Sequence, residues 1–299
     1  MVFPAVAYVI TAVEACQYVA DGRPIGLVEV FDFHLGKPCT FDEDDSSVEI
    51  VFCLSDISKE DKKVLSATFK YHACPNLETD VLATLATGKV LVTFGEPSSN
   101  WLPPRTAEPS NVVPVNEDQF YSSLQHLGYE YTADFRSLSS MKRKLNFGLA
   151  DVTVPSQNTL DEGVLIHPGL LDSAFQAIFL AYSWPDDGRF GSPYIPTHVD
   201  RVLINISLCQ QNLIPGTRLQ LSSHLTENPL TTSTIRGDVD IFGADKLSRL
   251  IQVERVRVVP FSDVGPDADR EMFSEHVWDM ETPDCELAMG DDMATGGRL

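Results

Sequence analysis

Two stretches limit what this 299-residue chain can fold into more than any other feature: FPAVAYVITAVEACQYV at 3–19 and HPGLLDSAFQAIFLAYS at 167–183. Each places a proline where a helix can begin, since proline fits the first helical turn. Each is then apolar on almost every side, as expected of a helix buried all round. Pro4 and Pro168 stand in register, 164 positions apart. Asp21-Gly22 closes the first helix, and strand-like segments follow at 27–33, 47–54, 64–73 and 87–95. After the second helix, strand-like segments recur at 201–208, 218–225, 232–241 and 250–259. The last of these, LIQVERVRVV, alternates cleanly enough to leave one face wet.

One plan is therefore present twice: an apolar helix, then about four antiparallel strands to wrap it. This α+β arrangement is that of a double hot dog, although two unrelated α+β units fit the same element order. The first unit spans 1–98, and 99–111 reads as a linker because EPSSNWLPPRTAEPSN (96–111) is rich in Pro, Ser and polar residues. The second unit spans 112–262. It opens with a helix at 116–128 that carries Phe120, Leu124 and Leu127 on one face, followed by strand-like stretches at 146–154 and 162–166. Residues 263–299 hold eleven acidic side chains against Arg270 and Arg298, and read as an acidic tail or interdomain linker, disordered at least beyond Thr282.

The whole chain has 43 Asp+Glu against 22 Lys+Arg, a net charge of −21. That balance argues against nucleic acid and against an anionic membrane surface as partners. No apolar run approaches the ~18 residues of a membrane span. Cys16, Cys39, Cys53, Cys74, Cys209 and Cys285 lack CxxC spacing and read as reduced, mostly buried thiols. No metal site is expected, because no histidine stands at ligand spacing to Cys39 and Cys53. Reduced thiols make the expected location cytoplasmic, and no secretory signal with a basic n-region is visible before the first helix.

Asp172 stands out among residues that carry chemistry, as it lies one turn into an otherwise apolar helix. A carboxyl there is costly unless paired, hydrogen-bonded or protonated. It reads either as a first-turn capping carboxylate or as a positioned acid. Gln176 is four residues on, so the two side chains share a face and can hydrogen-bond. His167 precedes Pro168 and reads as a structural histidine at the helix start, or as a base. His34 is expected on or beside a strand, His72 on an edge strand, and His198 in a proline-rich loop. Lys142-Arg143-Lys144 reads as a solvated basic turn that could meet a phosphate. GxSxG, P-loop, GxGxxG and HExxH patterns are absent from the sequence.

HPGLLDSAFQ (167–176) matches the HPxxLDxxxQ segment of the dehydratase domains of polyketide synthases and animal fatty-acid synthases. GYEYTADF (128–135) is similar to their GYxYGPxF segment, with Thr132 and Ala133 in place of Gly-Pro. VFPAVAYVITAVEAC resembles the helix after their first catalytic motif. LPPR, FYSSLQHLGYEY and FSEHVWDMETPD resemble fungal highly reducing polyketide synthases in particular. The resemblance covers about residues 1–280. It implies a double hot dog that removes water from a β-hydroxyacyl thioester carried on the phosphopantetheine arm of an acyl carrier protein, with no bound cofactor. It implies other synthase domains as partners in cis or trans, and leaves room for a homodimer. It makes Asp172 the general acid, Gln176 its orienting partner and Tyr131 the pocket tyrosine at the hydroxyl. His167, Pro168, Leu171, Phe135 and Pro196 fall along the substrate's path. The family's catalytic histidine belongs to HxxxGxxxxP. With Pro4 as that proline, both Gly and His fall upstream of Met1, and the first hot dog lacks its opening strands. The expectation is then a domain inactive by itself, or a non-catalytic relative that binds acyl chains or acts as a scaffold. A free-standing hot-dog thioesterase fits less well, because the Asp–Gln pair suits elimination better than hydrolysis.

Overall fold

The computed structural model describes residues 3–36, 38–39, 49–74, 82–156, 163–227 and 234–261. The expected acidic tail, with His276 and Cys285, lies outside them, as do the ends of the strand-like stretches at 47–48, 162 and 232–233. Helix α1 (Ala5–Val19) leads into β1 (Ile25–Leu35), β2 (Glu49–Asp61), β3 (Val64–Cys74) and β4 (Ala83–Phe94). A 3-10 turn at Ser99–Trp101 follows, then β5 (Val113–Pro114), α2 (Glu117–His126) and a second 3-10 turn at Ala133–Phe135. Next come β6 (Leu138–Lys144), β7 (Phe147–Thr153) and α3 (Pro168–Tyr182). The order ends with β8 (Tyr194–Asn205), α4 (Ile206–Asn212), β9 (Arg218–Leu225), β10 (Ile235–Phe242) and β11 (Arg249–Pro260).

The strands form one antiparallel sheet in the order β2-β3-β4-β1-β8-β11-β10-β9-β7-β6-β5. Outward from the β1–β8 junction the order is a palindrome: β1, β4, β3, β2 on one side, β8, β11, β10, β9 on the other. The 164-residue offset that relates Pro4 to Pro168 also relates His34 to His198. These two histidines face each other in the β1–β8 register. The halves thus meet around a local two-fold axis, each central strand paired with its own counterpart, as in a symmetric dimer.

Each half of the sheet packs on one of the long helices. α1 lies against β1 and β4, and α3 against β6, β7, β9 and β10. α1 buries Val6, Tyr8, Val9, Ile10, Ala12, Val13 and Cys16. It stops where Asp21 and Gly22 take φ of 53° and 73°, the left-handed region that a glycine enters freely. In α3 every residue from Gly169 to Tyr182 is buried except Asp172. The antiparallel sheet and its two buried helices make the double hot dog expected from the sequence. Among the described residues no helix is long and apolar enough to cross a membrane.

The segment after β4 docks on the sheet despite its linker-like composition. A Cβ on Gly26 would meet the Trp101 indole at 2.3 Å, so the ring needs a glycine beneath it. Farther along, Arg105 donates to the Lys246 carbonyl (2.6 Å) and lies over the Phe242 ring (4.5 Å). Phe242 also meets Arg249 (5.5 Å), which forms a buried pair with Asp240 at 3.2 Å.

Five local expectations are corrected. The described part of 162–166 is turn, not strand, because the Leu165 N–H donates to Glu14 Oε1 on α1 (2.8 Å) rather than to a ladder. The stretch read as a strand at 201–208 changes to α4 after Asn205, whose side chain accepts from the Leu208 N–H (3.2 Å) and caps the new helix. His198 is in β8, not a loop. His72 is in β3, which is interior, between β2 and β4. Lys142-Arg143-Lys144 is part of β6 and not a turn, although Lys142 and Lys144 are exposed as expected of a solvated surface. Arg143 donates to the Leu180 and Ala181 carbonyls (2.9 and 3.1 Å) at the end of α3, where a cation meets the negative end of the helix.

Candidate active site

The site is built on the first turns of α3. His167 is the N-cap, with Nδ1 accepting the Gly169 N–H at 3.1 Å, and Pro168 occupies the first turn without wasting a donor. Its Nε2 lies 3.7 Å from an Asp134 carboxyl oxygen. Gly169 is required by a neighbour: a Cβ there would stand 2.4 Å from the Asp134 carbonyl oxygen. That close approach lets the Ala133–Phe135 turn pack on α3. Ala133 turns the chain with φ of 47°, a geometry no proline can adopt, so this turn differs from one built on Gly-Pro.

Asp172 follows one helical turn later. Burial pushes its carboxyl up to about 6, while a hydrogen bond from Gln176 pulls the other way. Gln176 Nε2 donates to Asp172 Oδ2 at 2.8 Å, the contact that the i, i+4 spacing allows. The same nitrogen donates to the Phe135 carbonyl at 2.8 Å. Gln176 Oε1 accepts the Tyr121 hydroxyl at 3.0 Å. Asp172 keeps some accessible surface in a helix otherwise sealed from Gly169 onward. By the 164-residue offset the equivalent residue of α1 is Tyr8, so the acid belongs to one half only.

Tyr131 stacks on Tyr129 (5.7 Å, 9°) and meets Tyr121 edge-on (6.2 Å). Burial, reinforced by the nearby Asp172 charge, drives its phenol well above the usual range. Among the described residues its hydroxyl has no hydrogen-bond partner. The Tyr129 hydroxyl donates to the Tyr194 carbonyl (2.7 Å), which ties this aromatic group to β8.

The structure therefore brings Asp172, Gln176, Tyr131 and Phe135 together, with Phe135 contributing its carbonyl. His167 and Pro168 hold the helix start, and Leu171 is buried beside Asp172. Pro196 sits in the β8–β11 ladder opposite Val258, next to a register shift, where a strand tolerates a missing donor. Tyr121 and Glu14 escaped the sequence reading. Their partners lie 55 and 151 positions away, so no local spacing signals them. His34 and His198 line a separate cavity of about 540 Å³ with Asp200, Arg236, Arg255 and Arg257. It opens on the face away from the helices, since the alternating Phe33, Val199 and Val256 point into the core. Among the described residues, no group of three His, Cys, Asp or Glu side chains is placed to hold a metal ion.

Fold and site together define a double-hot-dog domain with one helix-borne carboxyl, raised by burial. Residues 102–268 match the family described as the polyketide synthase dehydratase N-terminal domain. The chain belongs to the polyketide synthase dehydratase family. It is 49% identical over 296 residues to the hybrid PKS-NRPS synthetase xenE of Xenoacremonium sinensis, covering 99% of this chain and 7% of that protein. It is 45% identical over 296 residues to the hybrid PKS-NRPS synthetase gkaA of Penicillium citrinum, with the same coverage. The chain thus spans 7% of the length of these curated relatives. Among solved structures, the dehydratase domain from the CurF module of curacin polyketide synthase superposes with a TM-score of 0.65 at 18% identity, over 87% of this chain and 85% of that one. The dehydratase domain of RzxB from Pseudomonas fluorescens gives 0.64 at 17% identity, over 87% and 86%. At such identities the likeness is one of fold.

Proposed function

We propose that this domain removes water from a β-hydroxyacyl thioester, presented on the phosphopantetheine arm of an acyl carrier protein, to leave an α,β-enoyl thioester. The observation that carries the reading is Asp172: the one accessible residue of a sealed helix stretch, its carboxyl pushed up to about 6. A general acid works best with its pKa near the operating pH. An acyl chain that displaces more water raises that carboxyl further. Asp172 gives its proton to the β-hydroxyl, and the C–O electrons leave with the oxygen as water. The α-proton passes to a base, and its C–H electrons form the new double bond. The neutral Tyr131 phenol supplies a hydrogen bond to the same hydroxyl. His167, Pro168, Leu171, Phe135 and Pro196 border the acyl path, an apolar setting with a few polar groups.

By the family resemblance the base is a histidine in HxxxGxxxxP, a pattern that residues 1–299 do not contain. On this reading these residues bind the acyl chain and supply the acid, and the cycle needs a histidine from elsewhere in the synthase. Lacking a general base costs about 10²–10⁴-fold. The partners are an acyl carrier protein and further polyketide synthase domains.

The test is water loss from a β-hydroxyacyl pantetheine thioester, followed by mass. It compares this chain with a longer protein that also holds the HxxxGxxxxP histidine. The longer protein turns over, and Asp172→Asn slows it by about 10²-fold or more, while the 299-residue chain binds without turnover. Turnover untouched by Asp172→Asn contradicts the reading. Binding without turnover in both proteins favours the non-catalytic, acyl-binding alternative.

A further inference from the structure

We propose that Tyr121 is a positioning residue for Asp172: its hydroxyl fixes which way the Gln176 amide faces, so that Asp172 meets a donor and not a carbonyl oxygen. The inference rests on Asp172 being the acid, and extends that reading to a residue on a different helix.

Gln176 is fully buried, so each of its polar atoms needs a protein partner. A glutamine amide has two donor hydrogens and one carbonyl oxygen. Here one hydrogen goes to Asp172 Oδ2 and the other to the Phe135 carbonyl, both at 2.8 Å. The oxygen takes the Tyr121 hydroxyl at 3.0 Å. Turned over, the amide would face both acceptors with its oxygen, and Asp172 would lose the bond that steadies its anion.

Tyr121 is itself held so that its proton has one direction to go. Its oxygen accepts the Leu138 backbone N–H at 3.0 Å, which leaves the hydroxyl hydrogen for Gln176. Burial pushes the phenol up to about 12, so it stays a donor across the physiological range. The Arg136 guanidinium covers the ring at 4.7 Å and is anchored in turn to Asp118 at 2.8 Å. Phe120 meets the ring edge-on at 5.3 Å. A hydrogen-bonded line therefore runs from the start of β6 through α2 to the acid: Leu138 N–H, Tyr121 hydroxyl, Gln176 amide, Asp172 carboxyl.

The test is a titration of the Asp172 carboxyl by carbon-13 NMR in the full 299-residue chain. The signal is assigned by its loss in Asp172→Asn. In Tyr121→Phe the ring stays and only the hydroxyl goes. Losing a donor to the anion shifts the Asp172 titration upward by about one pH unit, the size of a hydrogen bond to a charged group. Gln176→Ala gives a similar upward shift, and adding Tyr121→Phe to it gives no further change. An unchanged Asp172 titration in folded Tyr121→Phe overturns the proposal. So does a shift from Tyr121→Phe that survives in the Gln176→Ala background, because the hydroxyl would then act by another route. Should Tyr121→Phe fail to fold, 4-fluorophenylalanine at position 121 fills the space without donating and is expected to give the same shift. No turnover is needed, so this result is separable from the proposed function. A coupled shift, together with dehydration insensitive to Asp172→Asn, would leave the positioning intact and the assignment of the acid wrong.

Discussion

At Asp172 three influences act on one carboxyl. Burial favours the neutral acid, while the Gln176 donor and the positive end of α3 favour the anion. Burial outweighs the Gln176 bond, so the carboxyl is raised overall, and the cap of the helix is His167. Tyr131 shows the complementary case: among the described residues its hydroxyl has no partner beside that carboxyl. Tyr131→Phe is therefore expected to change stability by less than about 0.5 kcal/mol and to slow dehydration by about tenfold or more. Thermal unfolding of this chain checks the first half, and the thioester assay in the longer protein that holds the HxxxGxxxxP histidine checks the second. The Asp172–Gln176 pair was legible in the sequence because a helix brings i and i+4 together by its own geometry. Tyr121 was not, since its contact spans 55 positions and depends on how α2 meets α3. Nor was the part played by Phe135, whose contribution is a backbone carbonyl that every residue type shares.

At the scale of elements, α3 is held at both ends by side chains. His167 and the close packing at Gly169 fix its start, and Arg143 closes its end by donating to the Leu180 and Ala181 carbonyls. Arg143→Ala strips that end of two charged donors. A loss of about 1–3 kcal/mol is expected, read as a lower denaturant midpoint with unchanged slope. α1 and α3 were legible because nearly uninterrupted apolar sequence with a proline start has few other uses. β6 was missed for the opposite reason: in LSSMKRK only Leu138 and Met141 are buried, so no alternation shows. α4 looks in sequence like the end of a strand, because its apolar residues run on from β8. The cap at Asn205 was the signal that the strand had ended.

For the molecule as a whole, the 164-residue offset visible between the two prolines proves to be an architectural constant. It relates the helices and maps the palindromic strand order onto itself through the His34–His198 pair. The offset was readable from the sequence. The pairing of β1 with β8 was not, because it is a long-range choice that no local pattern encodes. On this shared scaffold only the second half carries the acid, and the whole domain bears the cost of keeping a carboxyl there. That cost is the central claim, and stability against pH measures it. A folded-state value of about 6 against ~3.9 when unfolded means that the native state holds the extra proton. The penalty is therefore absent below about pH 4, grows through the window to about pH 6 and is complete above it. Asp172→Asn removes it, so the decisive measurement is the unfolding free energy of the two proteins at pH 8 and pH 5. Asp172→Asn is expected to be the more stable by about 1–3 kcal/mol at pH 8, with the gap shrinking by about half at pH 5. An Asp172→Asn protein that is less stable at pH 8 would show the carboxylate to be a satisfied structural group, and would contradict the account.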